Sequence, residues 1–302
     1  MTIETNPAPA RFTAGAAIGY AWVIFRTRPV SFVRLALIQA VVFALIGFAS
    51  FALMGWAGRS AALPVEEQMA AVLRAGAAVS TLNLVMLVVI VWLEAAWLDV
   101  FLNRRLRFWP GWGPYGRLLL SFVIAFAVFM GGYLAIVFVG LLLALLAGAA
   151  AGVLAGALVG VAAVAGFFAF LIFVQMRFTA LPALVHSGRG LPVGRALGLA
   201  RGRLGALFLS WLAYAGLYVV VTAAAFAIFT LMPGGPWRSL QAALAEPDNP
   251  LAQYAAYTPL IESAGAAALG FAALVVMNLL FTPLTALSRG IGVRLALEAE
   301  SS

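Results

Sequence analysis

Glu94 is the side chain in this chain that asks hardest for a chemical explanation. It lies ten residues before Arg104, about 15 Å along a helix. That distance carries it into the hydrocarbon if Arg104 marks a membrane boundary. A carboxylate at such depth is costly and faces the bundle interior or water. It suits a proton or cation site, or a hook for a cationic substrate. It also suits a protonated or hydrogen-bonded residue that only locks helix packing. Gln39, Tyr214 and Asn278 sit at comparable depth, roughly 10–15 Å from the nearest basic end of their segments. With Glu94 they are expected either to line one polar intramembrane cavity or to make interhelical hydrogen bonds worth about 1 kcal/mol each. Asp99 follows Glu94 by five positions, about 140° around a helix, so the two share no narrow face. Its spacing to Arg104 fits a salt bridge better than catalysis.

Other chemistries find no foothold. The chain has no cysteine, which removes disulfides, thiolate metal sites and thiol nucleophiles. His186 is the single histidine and has no second ligand at metal-binding spacing. No HExxH, GxSxG, Walker or GxGxxG pattern occurs in its required setting. The sequence therefore predicts no catalytic residue, no metal, no cofactor and no enzymatic activity.

The remaining charge is arginine. All 18 basic residues are Arg, against 10 acids, for a net charge of +8. They flank apolar runs, which favours anionic lipid headgroups over nucleic acid as the partner; no aromatic-and-basic platform for bases is present. Arg104, Arg105, Arg107, Arg195, Arg201 and Arg203 are candidate headgroup ligands. The plainer alternative is that they only anchor topology. Gly152, Gly156 and Gly160 recur at every fourth position, a stripe that permits close helix contact within a hairpin or in a dimer.

The elements that must position these residues follow from composition. Hydrophobic residues make up 65% of the chain and charged residues 9%, against about 25% charged in soluble domains. The apolar residues gather into runs of the roughly 20 residues needed to cross a bilayer. The expected fold is all-α, with six transmembrane helices arranged as three hairpins and short amphipathic surface helices. Residues 1–10 read as a mobile tail, and 11–302 as one six-helix domain. A surface helix is expected over 12–28, with Thr13 as N-cap and Ala14, Ile18, Ala21 and Phe25 on one face. Spans are expected over about 32–57, 78–101, two within 118–176 broken at 147–152, 205–232 and 264–287. A basic amphipathic segment fills 177–204, a Pro-rich acidic loop 233–262, and a tail 288–302.

Counting arginines sets the orientation. Fifteen fall on the side of the termini, after the second and fourth spans included; only Arg59, Arg74 and Arg238 fall on the other. The positive-inside rule then puts both termini in the cytoplasm. No apolar run begins before about residue 32, so no cleaved signal peptide is expected. The Ala-, Gly- and Arg-rich, Lys-free composition suggests a GC-rich bacterial genome and an inner-membrane location.

A short internal repeat accompanies this layout. Gly15-Ala16-Ala17-Ile18-Gly19-Tyr20-Ala21 recurs as Gly194-Arg195-Ala196-Leu197-Gly198-Leu199-Ala200. Phe178-Thr179-Ala180-Leu181 is echoed by Phe281-Thr282-Pro283-Leu284. The run from Gly194 through Arg201-Gly202-Arg203, with the preceding Ala180-Leu181-Pro182-Ala183-Leu184-Val185, resembles the membrane domain of bacterial glycerophosphoryl diester phosphodiesterases and its stand-alone multi-pass relatives. Specific matching covers about a fifth of the chain. The resemblance implies the six-span layout. It does not bring the hydrolase activity, for which the chain has no room, and the stand-alone relatives have no assigned function. The expectation is therefore a non-enzymatic bacterial inner-membrane protein that binds lipid or supports a partner membrane protein complex. The alternative is a small transporter or lipid translocator built around Glu94.

Overall fold

The computed structural model describes residues 12–102, 104, 106–188, 190–231, 241, 245, 252–255 and 257–301. The described residues are almost wholly helical. The main elements are α1 (Ala14–Thr27), α2 (Pro29–Gly58), α3 (Val65–Phe101), α4 (Trp112–Ala151), α5 (Val153–Phe178), α6 (Leu181–Ser187), α7 (Val193–Arg201), α8 (Leu204–Leu231), α9 (Ala264–Leu280) and α10 (Thr282–Ser301). Six helical stretches are long and apolar enough to cross a membrane: Pro29–Gly58, Glu66–Phe101, Trp112–Ala151, Val153–Ser187, Leu204–Ile228 and Ala264–Glu298. The chain is thus an all-α multi-pass membrane protein, with the span order expected from the sequence. The expected tail 1–10, Arg105 and most of the acidic loop lie outside the described residues.

Two boundaries differ from expectation. The second span begins at Val65, thirteen residues before the expected Ala78. Glu66 and Glu67 occupy its first turn, where carboxylates favour the positive end of the helix dipole. No proline interrupts the good helix formers that follow. The expected tail 288–302 is instead the second half of α10 and is buried through Ile291, Val293, Leu295 and Ala296. Leu284, Leu287, Ile291 and Leu295 recur at helical spacing, so this face needs a partner.

By its internal contacts the chain divides into two compact units. The first comprises Met1–Val23, Phe101–Ala213 and Leu287–Ser302; the second comprises Ile24–Val100 and Tyr214–Ala286.

In the first unit, α4 and α5 form a tight hairpin. Gly152 turns it with φ 89°, a left-handed conformation that glycine adopts without strain. The helices close on small residues. A Cβ on Gly156 would lie 2.8 Å from the Ala144 carbonyl oxygen, one on Gly140 2.6 Å from the Ala163 Cβ, and one on Gly132 inside the Phe170 ring. Gly160 meets nothing within 4 Å. The expected stripe Gly152, Gly156, Gly160 is therefore corrected. Gly152 is the turn, Gly156 makes the contact, and Gly132, Gly140 and Gly148 on α4 complete the seam. Four-residue spacing on one helix did not show which residues face the partner.

The same unit holds the ends of α1, α6, α7 and α10. Thr13 caps α1, accepting a 3.2 Å bond from the Ala16 N–H. Of the expected apolar face of α1, Ala14, Ala21 and Phe25 are half-buried and Ile18 is exposed, whereas the fully buried residues are Ala17 and Ile24, one position before Ile18 and Phe25. Ala17 and Ala21 lie against α10, where a Cβ on Gly290 would sit 3.3 Å from the Ala21 nitrogen. The other side of α1 is also apolar, with Ile18, Trp22 and Val23 exposed, so hydrophobicity alone could not choose between the two. On α7 the buried positions are Ala196 and Ala200; Ala196 is the repeat counterpart of Ala17.

In the second unit, α2 packs along α9, and Tyr257 stacks on Phe51 with centroids 5.0 Å apart. Over half of the most apolar stretch of α3 is buried, whereas no other span exceeds 17%. The two echoed tetrapeptides occupy equivalent breaks. α5 ends at Phe178 before α6 starts with Leu181-Pro182, and α9 ends at Leu280 before α10 starts with Thr282-Pro283. Proline at a helix start lacks only an N–H that would be unpaired there.

Candidate functional site

Within the first unit, the connection from α3 to α4 and the segment from α6 to α8 form an arginine-rich rim at the ends of four spans. Arg104, Arg107, Arg195 and Arg201 are exposed. An Arg104 guanidinium N–H donates 3.3 Å to the His186 carbonyl, joining the α3–α4 connection to the end of α6. Beside it, Trp109 packs edge-on to Trp112 at 4.9 Å and stacks on Tyr115 at 5.4 Å. Trp112 remains 79% exposed, as suits an indole in a headgroup layer.

α7 is held against this rim from two sides. Arg177, in the last turn of α5, donates 2.9 Å to the Leu197 carbonyl, and its guanidinium lies 5.0 Å over the Phe173 ring. Arg203, just past α7, is gripped by Glu298 of α10 through bonds of 2.9 and 3.1 Å. The same carboxylate accepts 2.9 Å from the Phe12 backbone N–H. Paired charge-assisted bonds of this kind fix geometry as well as charge. Arg203 is accordingly removed from the expected headgroup ligands, because a largely buried carboxylate already holds its fork. Arg201 makes no hydrogen bond or ion pair with any described residue. Arg105 lies outside them.

Glu298 was missed in the sequence although a signal existed. It follows Leu295 by three positions and Ile291 by seven, which places an acid on the apolar face of α10.

Glu94, Gln39, Tyr214 and Asn278 all lie in the second unit. Glu94 is 6% exposed and Asp99 5%. Gln39 on α2 is buried and links three elements: it accepts 2.6 Å from the Trp97 indole N–H of α3 and donates 3.3 Å to the Thr285 hydroxyl of α10. Phe32 closes over Trp97, edge to face at 5.1 Å. Asn278 instead donates 2.8 Å to Leu274 of its own helix. Tyr214 is half-buried and stacks near Tyr218 at 6.4 Å. Gln39 and Asn278 thus spend their bonds elsewhere than on Glu94, and the four expected residues do not form one hydrogen-bonded set. Trp97 and Thr285 are the partners that sequence reasoning missed. Trp97 falls three positions after Glu94 on the same side of α3, and an indole N–H buried in a span needs an acceptor.

No group of three or more metal-ligating side chains occurs among the described residues. No family model, curated protein or solved structure matches the chain.

Proposed function

We propose that this multi-pass membrane protein is a non-enzymatic component of a bacterial inner membrane, with both termini cytoplasmic, whose arginine-rich rim binds anionic phospholipid and can present it to, or share it with, a partner membrane complex. One observation carries the reading. Arg104, Arg107, Arg195 and Arg201 are exposed beside exposed Trp109 and Trp112. These exposed arginines lie at the ends of spans, where lipid phosphates lie, at about 1 kcal/mol of attraction per arginine near an anionic surface. The arginine count on the same ends supports a cytoplasmic placement.

The test is to extract the full chain from a bacterial membrane in mild detergent and identify its lipids. Enrichment of phosphatidylglycerol or cardiolipin over the bulk membrane is the expected result. A bound-lipid composition equal to the bulk membrane would contradict it.

A second reading, a small transporter or lipid translocator, is favoured by a specific observation: α3, the most enclosed span, carries two buried carboxylates, Glu94 and Asp99. Intramembrane acids mark substrate or proton paths often enough to test. Glu94→Gln would abolish a translocation activity, whereas a lipid-binding role predicts unchanged lipid retention.

A further inference from the structure

The last span is broken partway, in the second unit. α9 stops at Leu280 and α10 starts at Thr282, seven residues before Arg289, so the break lies about 10 Å inside the basic end of the span. The Phe281 N–H still donates 3.3 Å to Met277, and the Thr285 N–H 3.0 Å to Phe281. Pro283 has no N–H, so the Leu279 carbonyl lacks the donor that a continuous helix would supply four residues on. Thr282 takes the first position after the break. It is 7% exposed, yet its hydroxyl oxygen has no hydrogen-bond partner among the described residues. Such a buried hydroxyl carries a desolvation cost that a ligand would relieve. The echoed break in the first unit serves as a control. There the Thr179 hydroxyl donates 2.5 Å to the Gln175 carbonyl and accepts 3.1 Å from the Trp211 indole N–H. One threonine is satisfied by its own unit and its counterpart is not.

The surrounding groups identify the ligand. Asn278, Thr282 and Thr285 follow at i, i+4 and i+7, which runs three polar side chains down one side of the broken span. Thr285 is tied to Gln39 of α2, and Gln39 to Trp97 of α3, so two other spans brace this stripe. Asn278 spends its amide N–H on Leu274, which leaves its side-chain carbonyl as an acceptor. The oxygens at the break are thus a hydroxyl, an amide carbonyl and the Leu279 backbone carbonyl, ligands that hard cations prefer. The carbonyl end of α9 is also the negative end of its dipole. The charged side chains buried in this unit, among the described residues, are Glu94 and Asp99, both acids. Neutral oxygens, with no cluster of three acids or histidines among the described residues, suit a monovalent cation better than a divalent one. We propose that the α9–α10 break is a binding site for a monovalent alkali cation such as sodium, held by the Thr282 hydroxyl, the Asn278 side-chain carbonyl and the Leu279 backbone carbonyl. Half-helix ends that meet inside a span hold ions in this way. The site is independent of the lipid-binding reading above.

The test measures binding of radioactive sodium to the full chain in mild detergent, with chloride salts of sodium, choline and calcium as competitors. Wild type should bind sodium saturably, and choline should not displace it. Thr282→Val keeps the shape and removes the hydroxyl. It should weaken sodium binding roughly tenfold, with a melting temperature in choline chloride that is unchanged or raised. Thr282→Ser should restore the binding. Asn278→Leu should weaken it as well, and serves should the valine perturb folding. Thr179→Val should do the reverse, lowering the melting temperature and leaving sodium binding at the wild-type level. No saturable sodium binding in wild type would overturn the proposal, and a Thr282→Val protein more stable in that case would show a trapped water only. Binding that survives both Thr282→Val and Asn278→Leu would place sodium elsewhere and overturn the site. Displacement by calcium at lower concentrations than sodium would make the ion divalent and overturn the assignment. None of these outcomes depends on which lipids co-purify, so the site and the lipid-binding reading stand or fall separately.

Discussion

α1 and α7 share a frame and differ in dress. Both carry Gly-x-x-x-Gly at the same register, and both bury the alanine two places after the first glycine, Ala17 in one and Ala196 in the other. Where α7 exposes Arg195 and Arg201, α1 has Ala16 and Trp22. Trp22 is 55% exposed, so the outer face of α1 is apolar and aromatic where that of α7 is cationic. One packing solution thus carries two outer faces of different chemistry. The buried alanine sets how the helix docks, and two outward positions set what it meets. Glu298 binds both helices into one arrangement, because it accepts from Phe12 just before α1 and from Arg203 just after α7.

That joint gives the largest expected effect. Glu298→Ala should cost about 2 kcal/mol, since it strands a partly buried arginine and a backbone N–H together. The unfolding transition in detergent would fall by several degrees, and hydrogen exchange would rise at both helices; a rise at only one would break the shared joint. Next is an exchange of dress. Ala16→Arg with Trp22→Arg should make α1 respond to anionic lipid, gaining protection from exchange in anionic bilayers that wild-type α1 lacks. Trp22→Ala should have a smaller effect, about 1 kcal/mol of lost interfacial anchoring, seen as faster exchange over residues 14–27 whatever the lipid charge. The smallest concerns the glycines. Gly19→Ala and Gly198→Ala each place a Cβ in open space, so each should leave the fold unharmed or stabilise it by up to about 1 kcal/mol. A clear drop in melting temperature for either would show that the glycine serves internal packing after all.

The spans were legible because bilayer thickness imposes a length and a polarity that few other structures share. The turn at Gly152 and the cap at Thr13 were legible for local reasons, backbone freedom in one case and an N-terminal hydroxyl in the other. What sequence alone could not resolve was facing. In a membrane both sides of a helix can be apolar, so the period that marks a buried face in water marks two faces here. That is why Ala17, and not Ile18, turned out to be the docking residue of α1, and why the seam of the α4–α5 hairpin runs through Gly132, Gly140 and Gly148. The arginines posed the converse difficulty. Arg203 and Arg201 are two residues apart and alike in composition, yet one is held by Glu298 from a segment nearly a hundred residues distant. Only the fold separates the structural arginine from the exposed one. Among the span residues, Gln39 was recognised as buried and polar, but its partners Trp97 and Thr285 lie on other helices.

The most direct single measurement is hydrogen–deuterium exchange on the full chain in two sets of nanodiscs, one of phosphatidylglycerol and one of phosphatidylcholine, comparing residues 193–203 with residues 14–27. Slower exchange over α7 in the anionic discs, with α1 unchanged between the two, is the predicted result. Equal exchange over α7 in both lipids would contradict the claim that its arginine-flanked face engages anionic headgroups.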